Sequence, residues 1–440
     1  METGMHTKLT LIELNEVNFE IVREYINEKK GNFLGFEQLL SFNYATTSSE
    51  EEYDLIEPWI QWPSVHTECT YAEHKIFRLG DGVNLTRKQI FEKIEDLGFK
   101  VGCVSPMNTT NRLKDPAFFI PDPWTNTLPD NSILSRSLHK AIQQAVNDNS
   151  KGDISLWTYL VIIWALLFKT KLSNWPTYIT LFRNRRKRWN KALFLDLLLS
   201  DIFIKLRKKS NADFSTLFLN SFAHVQHHYI LNSKFYNGKL ENPTDYISKS
   251  DDPILDAMHI YDKILRNILL DRKQAYICAT GLQQVPVSEQ VNYFRLKNHK
   301  SFLQVLGVEN FEVYPRMTRD FLVVFNDPKA LDVALEKLKQ ITFDGIPLFD
   351  NIEIRDNSLF VTLTYSKLVS SSDLLEINGV KLNLKDEFVF VALKNGHHSP
   401  IGHVLTNFSP SLIGMTKTKH VKYIGTEIYN FFRELKGHVV

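Results

Sequence analysis

An α/β protein built on a doubly wound, mostly parallel sheet is the fold class this sequence predicts, and three observations predict it. Short apolar runs ending in polar residues recur along the chain, as in 8–14 (KLTLIEL, then Asn15-Glu16) and 216–220 (TLFLN). Strands buried on both faces of a parallel sheet read this way. Segments of helical spacing separate them, such as 19–29 with Phe19, Val22 and Ile26 on one side. Residues 89–97 followed by 98–105 (GFKVGCVS) form a helix-to-strand unit, and alternation of that kind argues for a doubly wound sheet.

Taken in order, 8–14 is the first buried strand, 19–29 a helix, and 41–46 a second strand. An acidic loop (50–54) and an aromatic polar loop (58–68, PWIQWPSVHTE) follow, then the 89–105 unit. From 133 to about 208 the pattern is helix without strands. Within it, 156–168 (LWTYLVIIWALLF) is uncharged and the basic run 183–188 (RNRRKR) follows closely. Thirteen residues fall short of the roughly 20 that span a bilayer. The reading taken is that 156–168 packs mostly against its own domain with the basic run exposed. A helix pair lying on a membrane surface is the other reading. Residues 253–270 form a helix, and 275–280 a strand ending in Gly281–Gln284. From 295 to 383 the pattern turns antiparallel: a strand at 321–325, a helix at 328–340, and a strand pair at 351–365 turning at Asp356-Asn357. Residues 388–392 (FVFVA) resume buried-strand character and are expected in the same sheet as 9–14. The expected organisation is a core of 1–130, 210–294 and 386–440, a helical insertion at 131–209, and an α+β cap at 295–385, both insertions lying over the strand ends.

With 440 residues the chain is long enough for a large core, and 52 basic against 50 acidic residues leave no global field for nucleic acid. The run at 183–188 alone is a weak nucleic-acid signal, because no stacking-aromatic motif or basic stripe surrounds it. Three widely spaced cysteines, Cys69, Cys103 and Cys278, argue against a disulfide framework and for a reducing compartment. The first residues run straight into a strand without a signal-peptide layout. A cytoplasmic protein, with membrane association as an option, is the expectation.

The chemistry-bearing residues collect after the strands. His224, His227 and His228 follow 216–220, and His224 and His228 share one helix face if the segment is helical. Asn15 and Glu16, Gln283 and Gln284, and His397 and His398 end other strands. Parallel strand order gathers such ends at one sheet edge. Imidazoles and carboxylates converging there, with a hydroxyl nearby, suit metal-assisted hydrolysis of phosphate or sulfate esters.

In this order the motifs resemble the alkaline phosphatase superfamily, especially its type I phosphodiesterase/nucleotide pyrophosphatase branch. LIELNE stands where a first strand ends in a metal ligand, WPSVHTE where the nucleophile loop lies, and Glu73–Ile76 (EHKI) where a His-Gly-Ile-like element follows. Asn220–His224 (NSFAH), or His224–His228, stands for Asp-x-x-x-His, Ala279–Gln283 (ATGLQ) for Ser-Asp-His-Gly, and Gly396–His398 for Gly-x-His. The chain departs from the pattern in lacking the Asp-His of Ser-Asp-His-Gly, where Thr280, Gly281 and Gln283 stand, and in carrying Asn15 for the first aspartate or displacing it to Glu16. WPSVH and ELNE are also similar to a divergent bacterial branch loosely associated with surface-polysaccharide genes.

The resemblance implies a hydrolase or transferase with Ser64, His66 and Glu68 as catalytic candidates. It implies one divalent metal, Zn or Mn, held by ligands among His224, His228, His397, His398, Asn15 and Glu16. Glu13, Asn220, His227, Gln283 and Gln284 would contact substrate, a phosphorylated or sulfated small molecule or glycan. The ligands expected to meet are His224, His228 and one of His397 or His398, with Ser64 or His66 facing them. The alternative is a catalytically degenerate protein that binds glycans or lipid-linked sugars.

Overall fold

The computed structural model describes residues 7–147, 154–271, 274–315, 319–408 and 418–439. It divides into two compact units, one formed by Met1–Pro286 and Gly396–Val440, the other by Val287–Asn395.

The first unit is built on an eight-stranded sheet containing β1 (Leu9–Leu14), β2 (Asn43–Ser48), β3 (Val101–Val104), β4 (Phe118–Ile120), β5 (Phe214–Leu219) and β6 (Ala275–Ala279). Two further strands, Ile401–Thr406 and Lys419–His420, complete it, in the order 419–420, β2, 401–406, β6, β1, β5, β3, β4. From β6 to β4 every neighbouring pair is parallel. Ile401–Thr406 runs antiparallel to both β2 and β6. Every residue of β1, β5 and β6 is buried. A strand in the middle of a sheet covered on both faces favours apolar side chains on both sides, which is why these runs do not alternate; the polar residues among them, Thr10, Glu13, Ser215 and Thr216, are buried too.

Leu9–Leu14 lies at the centre of that sheet, but Phe388–Ala392 is not in it. Those residues belong to the strand Phe388–Ser399, which pairs only with Gln283–Leu296 in a two-stranded ribbon. The strand that returns to the central sheet is Ile401–Thr406, buried after its first residue. Val389 and Phe390 are exposed, so FVFVA presents apolar side chains to solvent, whereas IGHVLT hides a glycine and a histidine inside.

A second correction concerns 58–68. It is a helix, Pro58–Thr67, not a loop. Pro58 occupies the first turn, where a missing N–H costs nothing. Pro63 lies inside the helix and removes one helical hydrogen bond there.

The segment 133–208 is helical, in the helices Ile133–Asn147, Leu156–Lys169, Trp175–Arg183 and Asn190–Ser210. Against expectation, Leu156–Lys169 buries only Thr158 and Ala165. Its other side carries Leu156, Leu160, Ile163 and Leu167, all exposed. Among the described residues no single helix is long and apolar enough to cross a membrane.

The second unit has an antiparallel sheet in the order Asn351–Arg355, Ser358–Thr362, Asp320–Phe325, Phe311–Pro315. Phe321, Val323 and Phe325 alternate inward and pack with Leu335 and Leu338 of the helix Pro328–Gln340, the period-2 burial of a sheet covered on one face.

Candidate active site

Where β1 ends, the backbone turns sharply. Glu16 has φ 58°, in the left-handed region, which is uncommon for a residue with a Cβ. Its surroundings hold it there. The Glu16 N–H donates to Thr280 O at 3.0 Å, and its carbonyl accepts from Gln226 Nε2 at 2.7 Å and from the Gln284 N–H at 3.3 Å. Strain of this kind persists where the surroundings over-determine it, and it concentrates at functional sites.

The turn aims the Glu16 side chain at two imidazoles. Glu16 Oε2 lies 3.0 Å from His227 Nε2 and 3.1 Å from His398 Nε2. The two ring nitrogens are 3.3 Å apart. Among the described residues this is the one group of three His, Cys, Asp or Glu ligand atoms close enough to hold a metal ion. His227 comes from the helix Ser221–Tyr229, which follows β5. His398 comes from the strand Phe388–Ser399, in which His397 and His398 alternate faces.

Glu16 and His398 each have further residues beside them. Trp62 Nε1–H donates to Asn15 Oδ1 at 2.8 Å, and since an indole can only donate, this fixes which way the Asn15 amide points. Asn15 Nδ2 then donates to Glu16 Oε1 at 2.9 Å and to Asn220 Oδ1 at 2.8 Å. Gln284 Nε2 donates to Glu16 Oε2. His398 Nδ1 faces Glu57 Oε2 at 3.3 Å. Glu57 sits at the N-cap position of Pro58–Thr67, so that helix reaches the cluster through its start and, by way of Asn15, through Trp62.

Gly396 packs closely against the Gln284 side chain. A Cβ there would lie 2.1 Å from Gln284 Oε1. That oxygen is buried and has no hydrogen-bond partner.

Burial opposes charge on Glu16, yet the facing His398 and His227 imidazoles outweigh it and hold the carboxyl well below the usual range. Burial likewise opposes the charge on His398, but the Glu16 and Glu57 carboxylates win and raise it to about 10. In the metal-free protein the group is therefore an ion pair.

The same donor set fits a divalent ion. Ligands at about 2.0–2.1 Å on a tetrahedron stand roughly 3.3 Å apart, close to the 3.0, 3.1 and 3.3 Å found here. Glu57 Oε2 lies 3.3 Å from His398 Nδ1 as a charge contact without hydrogen-bond geometry, on the far side of the ring from Nε2. Glu16, His227 and His398 would be the ligands, two nitrogens and one oxygen, a set that suits Zn.

Of the ligands expected from the sequence, Glu16 and His398 are in this cluster, joined by His227 rather than by His224 and His228. The last two pair with each other, ring centroids 4.7 Å apart. They share one face of the helix, and His227 lies about 100° round from His228. His397 is not among the clustered ligands. Asn15 and Asn220 hold the ligand shell, as Gln284 does.

The other candidates lie elsewhere. Ser64 is fully buried within Pro58–Thr67, donating to Ile60 O at 3.2 Å with His74 Nε2 at 3.0 Å. His74 Nδ1 accepts from the Ile76 N–H at 3.0 Å. Burial pushes His74 down to about 4, so it is neutral near pH 7 and its one proton sits on Nε2. His74 therefore donates to Ser64 and cannot deprotonate it. His66 contacts Glu13 Oε1 at 3.2 Å and Thr109 Oγ1 at 2.9 Å. Glu68 caps the helix end and pairs with Lys93. Gln283 Oε1 accepts from His403 Nε2 at 2.9 Å. Sequence reasoning missed Glu57 and Trp62 as supports. Glu57 stands immediately before a proline, a position that marks a helix start.

No protein-family model matches the chain, and no curated protein does. Among solved structures, phosphonoacetate hydrolase from Sinorhizobium meliloti 1021 in complex with phosphonoacetate is similar at 11% identity, covering 97% of this chain and 95% of that one, with a TM-score of 0.42. Human ectonucleotide pyrophosphatase/phosphodiesterase 5 is similar at 9% identity, covering 97% and 95%, TM-score 0.46. Alkaline phosphatase from the Antarctic bacterium TAB5 is similar at 10% identity, covering 98% and 99%, TM-score 0.42. All three are members of the alkaline phosphatase superfamily, which the sequence resembles. Values this low add nothing on chemistry, which rests on the side chains described above.

Proposed function

We propose that this protein is a one-metal hydrolase of phosphate esters, with Glu16, His227 and His398 as the metal ligands. The observation that carries the reading is the triangle of three ligand atoms at 3.0–3.3 Å past the carboxyl end of β1. A divalent ion bound there supplies Lewis-acid stabilisation of charge on phosphoryl oxygens. The ligand set carries one negative charge, so the occupied site keeps a net positive charge for an anionic substrate. Asn15 and Gln284 hold the Glu16 carboxylate in place, and Glu57 lies beside the His398 ring. Asn220 spends its oxygen on Asn15 Nδ2, and its NH2 group makes no hydrogen bond among the described residues, so it is the donor proposed to face substrate.

With Ser64 locked to His74 and Ile60, the serine expected as nucleophile does not face the cluster, and water is the proposed attacking group. Phosphorylated small molecules are the proposed substrates, and phosphorylated or sulfated polysaccharide precursors are the finer form of that proposal. The locked Ser64 also favours a second reading, in which the site binds such a molecule without turning it over.

Elemental analysis of the purified protein, with turnover of aryl phosphomonoesters, phosphodiesters and sulfates in added Zn or Mn, tests both readings. Metal near one equivalent and phosphoester turnover, both lost in His227→Ala, are expected. Metal without turnover of any ester would leave the binding reading, and protein that takes up no metal would remove the hydrolase.

A further inference from the structure

We propose that the Leu156–Arg183 helix pair, with the basic run that follows it, is a docking surface for an anionic lipid bilayer. Leu156, Leu160, Ile163 and Leu167 recur at helical spacing on the outer side of Leu156–Lys169, each at least half exposed. Trp157 and Trp164 stand beside them, also exposed. Monomeric soluble proteins rarely leave contiguous apolar patches of this kind uncovered.

Length decides between spanning and lying flat. A helix of 14 residues is about 21 Å long, short of the roughly 30 Å hydrocarbon core. The next helical stretch, Leu172–Arg183, departs from it at 118°, so the two do not form one straight span. Helices lying in the interface bury one apolar face at the headgroup boundary, with tryptophans at headgroup depth.

Charge selects the occupant. Between residues 154 and 195 the sequence contains no Asp or Glu and eight Lys or Arg. Arg183, Arg185, Arg186 and Arg188 are exposed and make no ion pair among the described residues. Ile179, Phe182 and Arg183 are exposed at i, i+3 and i+4 of one helix, and Arg185 lies over the Phe182 ring at 5.2 Å. Apolar and cationic surfaces thus adjoin, as an anionic leaflet requires. A second copy of the chain meeting this patch about a two-fold axis would set the same arginines against each other, and the carboxylates beside the run, Asp251 and Asp256, are already paired with Lys187.

Flotation of the full chain with phosphatidylcholine vesicles, with and without phosphatidylserine, tests the proposal, read beside light scattering for oligomeric state. Binding to the phosphatidylserine vesicles is expected, with a blue shift of tryptophan emission and weakening in high salt. Arg183→Glu/Arg185→Glu/Arg186→Glu is expected to lower partitioning by about 100-fold, at roughly 1 kcal/mol per basic residue. Leu160→Glu/Leu167→Glu alters only exposed positions and is expected to abolish the blue shift. Three results would overturn the proposal: no binding to either vesicle, equal binding to neutral vesicles that the arginine changes leave intact, or a dimer that Leu160→Glu/Leu167→Glu disperses.

Discussion

Two carboxylate–imidazole groups hang from β1 only three residues apart, and they differ in everything but their chemistry. Glu13 faces His66 inside the protein, both essentially without exposure. Its Oε1 also accepts from Thr216 Oγ1 at 2.6 Å, and its Oε2 is buried without a hydrogen-bond partner. Glu16 faces His227 and His398 at the strand end, and His227 is 32% exposed. The first group is enclosed by the sheet and the Pro58–Thr67 helix, with Trp62, Phe91 and Cys103 around it. The second opens to solvent, and two of its nitrogens converge on one oxygen. An enclosed pair can only stabilise or destabilise the fold. A half-open triad can take a ligand. Replacing one residue in each group should therefore separate function from stability.

The largest effect is expected at the open group. His227→Ala removes one of three ligands at a partly exposed position, so the fold has little to lose. Bound metal is expected to fall below a tenth of an equivalent, and turnover by about 100-fold or more, because even an outer-shell change at a metal site costs about 10–100-fold. Mass spectrometry for metal and initial rates at saturating metal are the measurements. Unchanged metal content would show that Glu16 and His398 form an ion pair and nothing more.

The enclosed group should respond in the opposite way. His66→Ala takes one hydrogen-bond partner from the buried Glu13 and leaves it with Thr216 alone, a change that costs about 1–3 kcal/mol. Urea unfolding is expected to show that loss, with metal per folded molecule unchanged. A variant with wild-type stability but no metal would mean that the two groups are coupled through Trp62, which links the helix to Asn15.

How much of this contrast could be read from residues depends on the kind of information each feature needs. β1, β5 and β6 were legible because complete burial leaves short runs dominated by apolar residues. The position of Glu16 at the end of β1 was legible for the same reason. The choice of His227 over His224 and His228 was not. It depends on how the Ser221–Tyr229 helix is rotated against the sheet, and a shift of one residue turns the face by about 100°. The exchange of 388–392 for 401–406 has a similar origin. Five consecutive apolar residues on a ribbon imitate a core strand, while His403 enters the core because Tyr44 and Gln283 satisfy both of its ring nitrogens. Reading WPSVH as a loop hid Ser64 inside a helix and left Glu57, at the helix start, unnoticed.

A smaller effect comes from acid. Burial pushes His74 and His403 down to about 4 each, against about 6.5 in the unfolded chain. A depressed histidine is neutral in the native state, so the unfolded state binds more protons between those values. The stability these two rings contribute is complete above pH ~6.5 and is lost as pH falls towards ~4. His299, in the second unit, is likewise held at about 4 by burial. Urea midpoints are therefore expected to fall steadily from neutral pH to about 4. A flat profile across that window would mean that these histidines are solvated.

The smallest expected effect is at Ser64, and it distinguishes the enclosed side from the open side most directly. The hydroxyl accepts from His74 Nε2–H and donates to Ile60 O, so Ser64→Ala leaves one buried imidazole N–H without an acceptor. That costs about 1–3 kcal/mol of stability. The Ile60 carbonyl loses only a side-chain donor. Neither change reaches Glu16, because the contact between this helix and the cluster runs through Trp62 and Glu57. Turnover is expected to stay within about twofold of the parent, since no group that orients a metal ligand has moved. A serine nucleophile would behave differently, and its removal would cost several orders of magnitude in rate. Rates on a phosphodiester under matched metal loading decide the matter. A collapse of turnover in Ser64→Ala, with metal content and fold intact, would place the chemistry in the helix body and reduce the Glu16 cluster to a support.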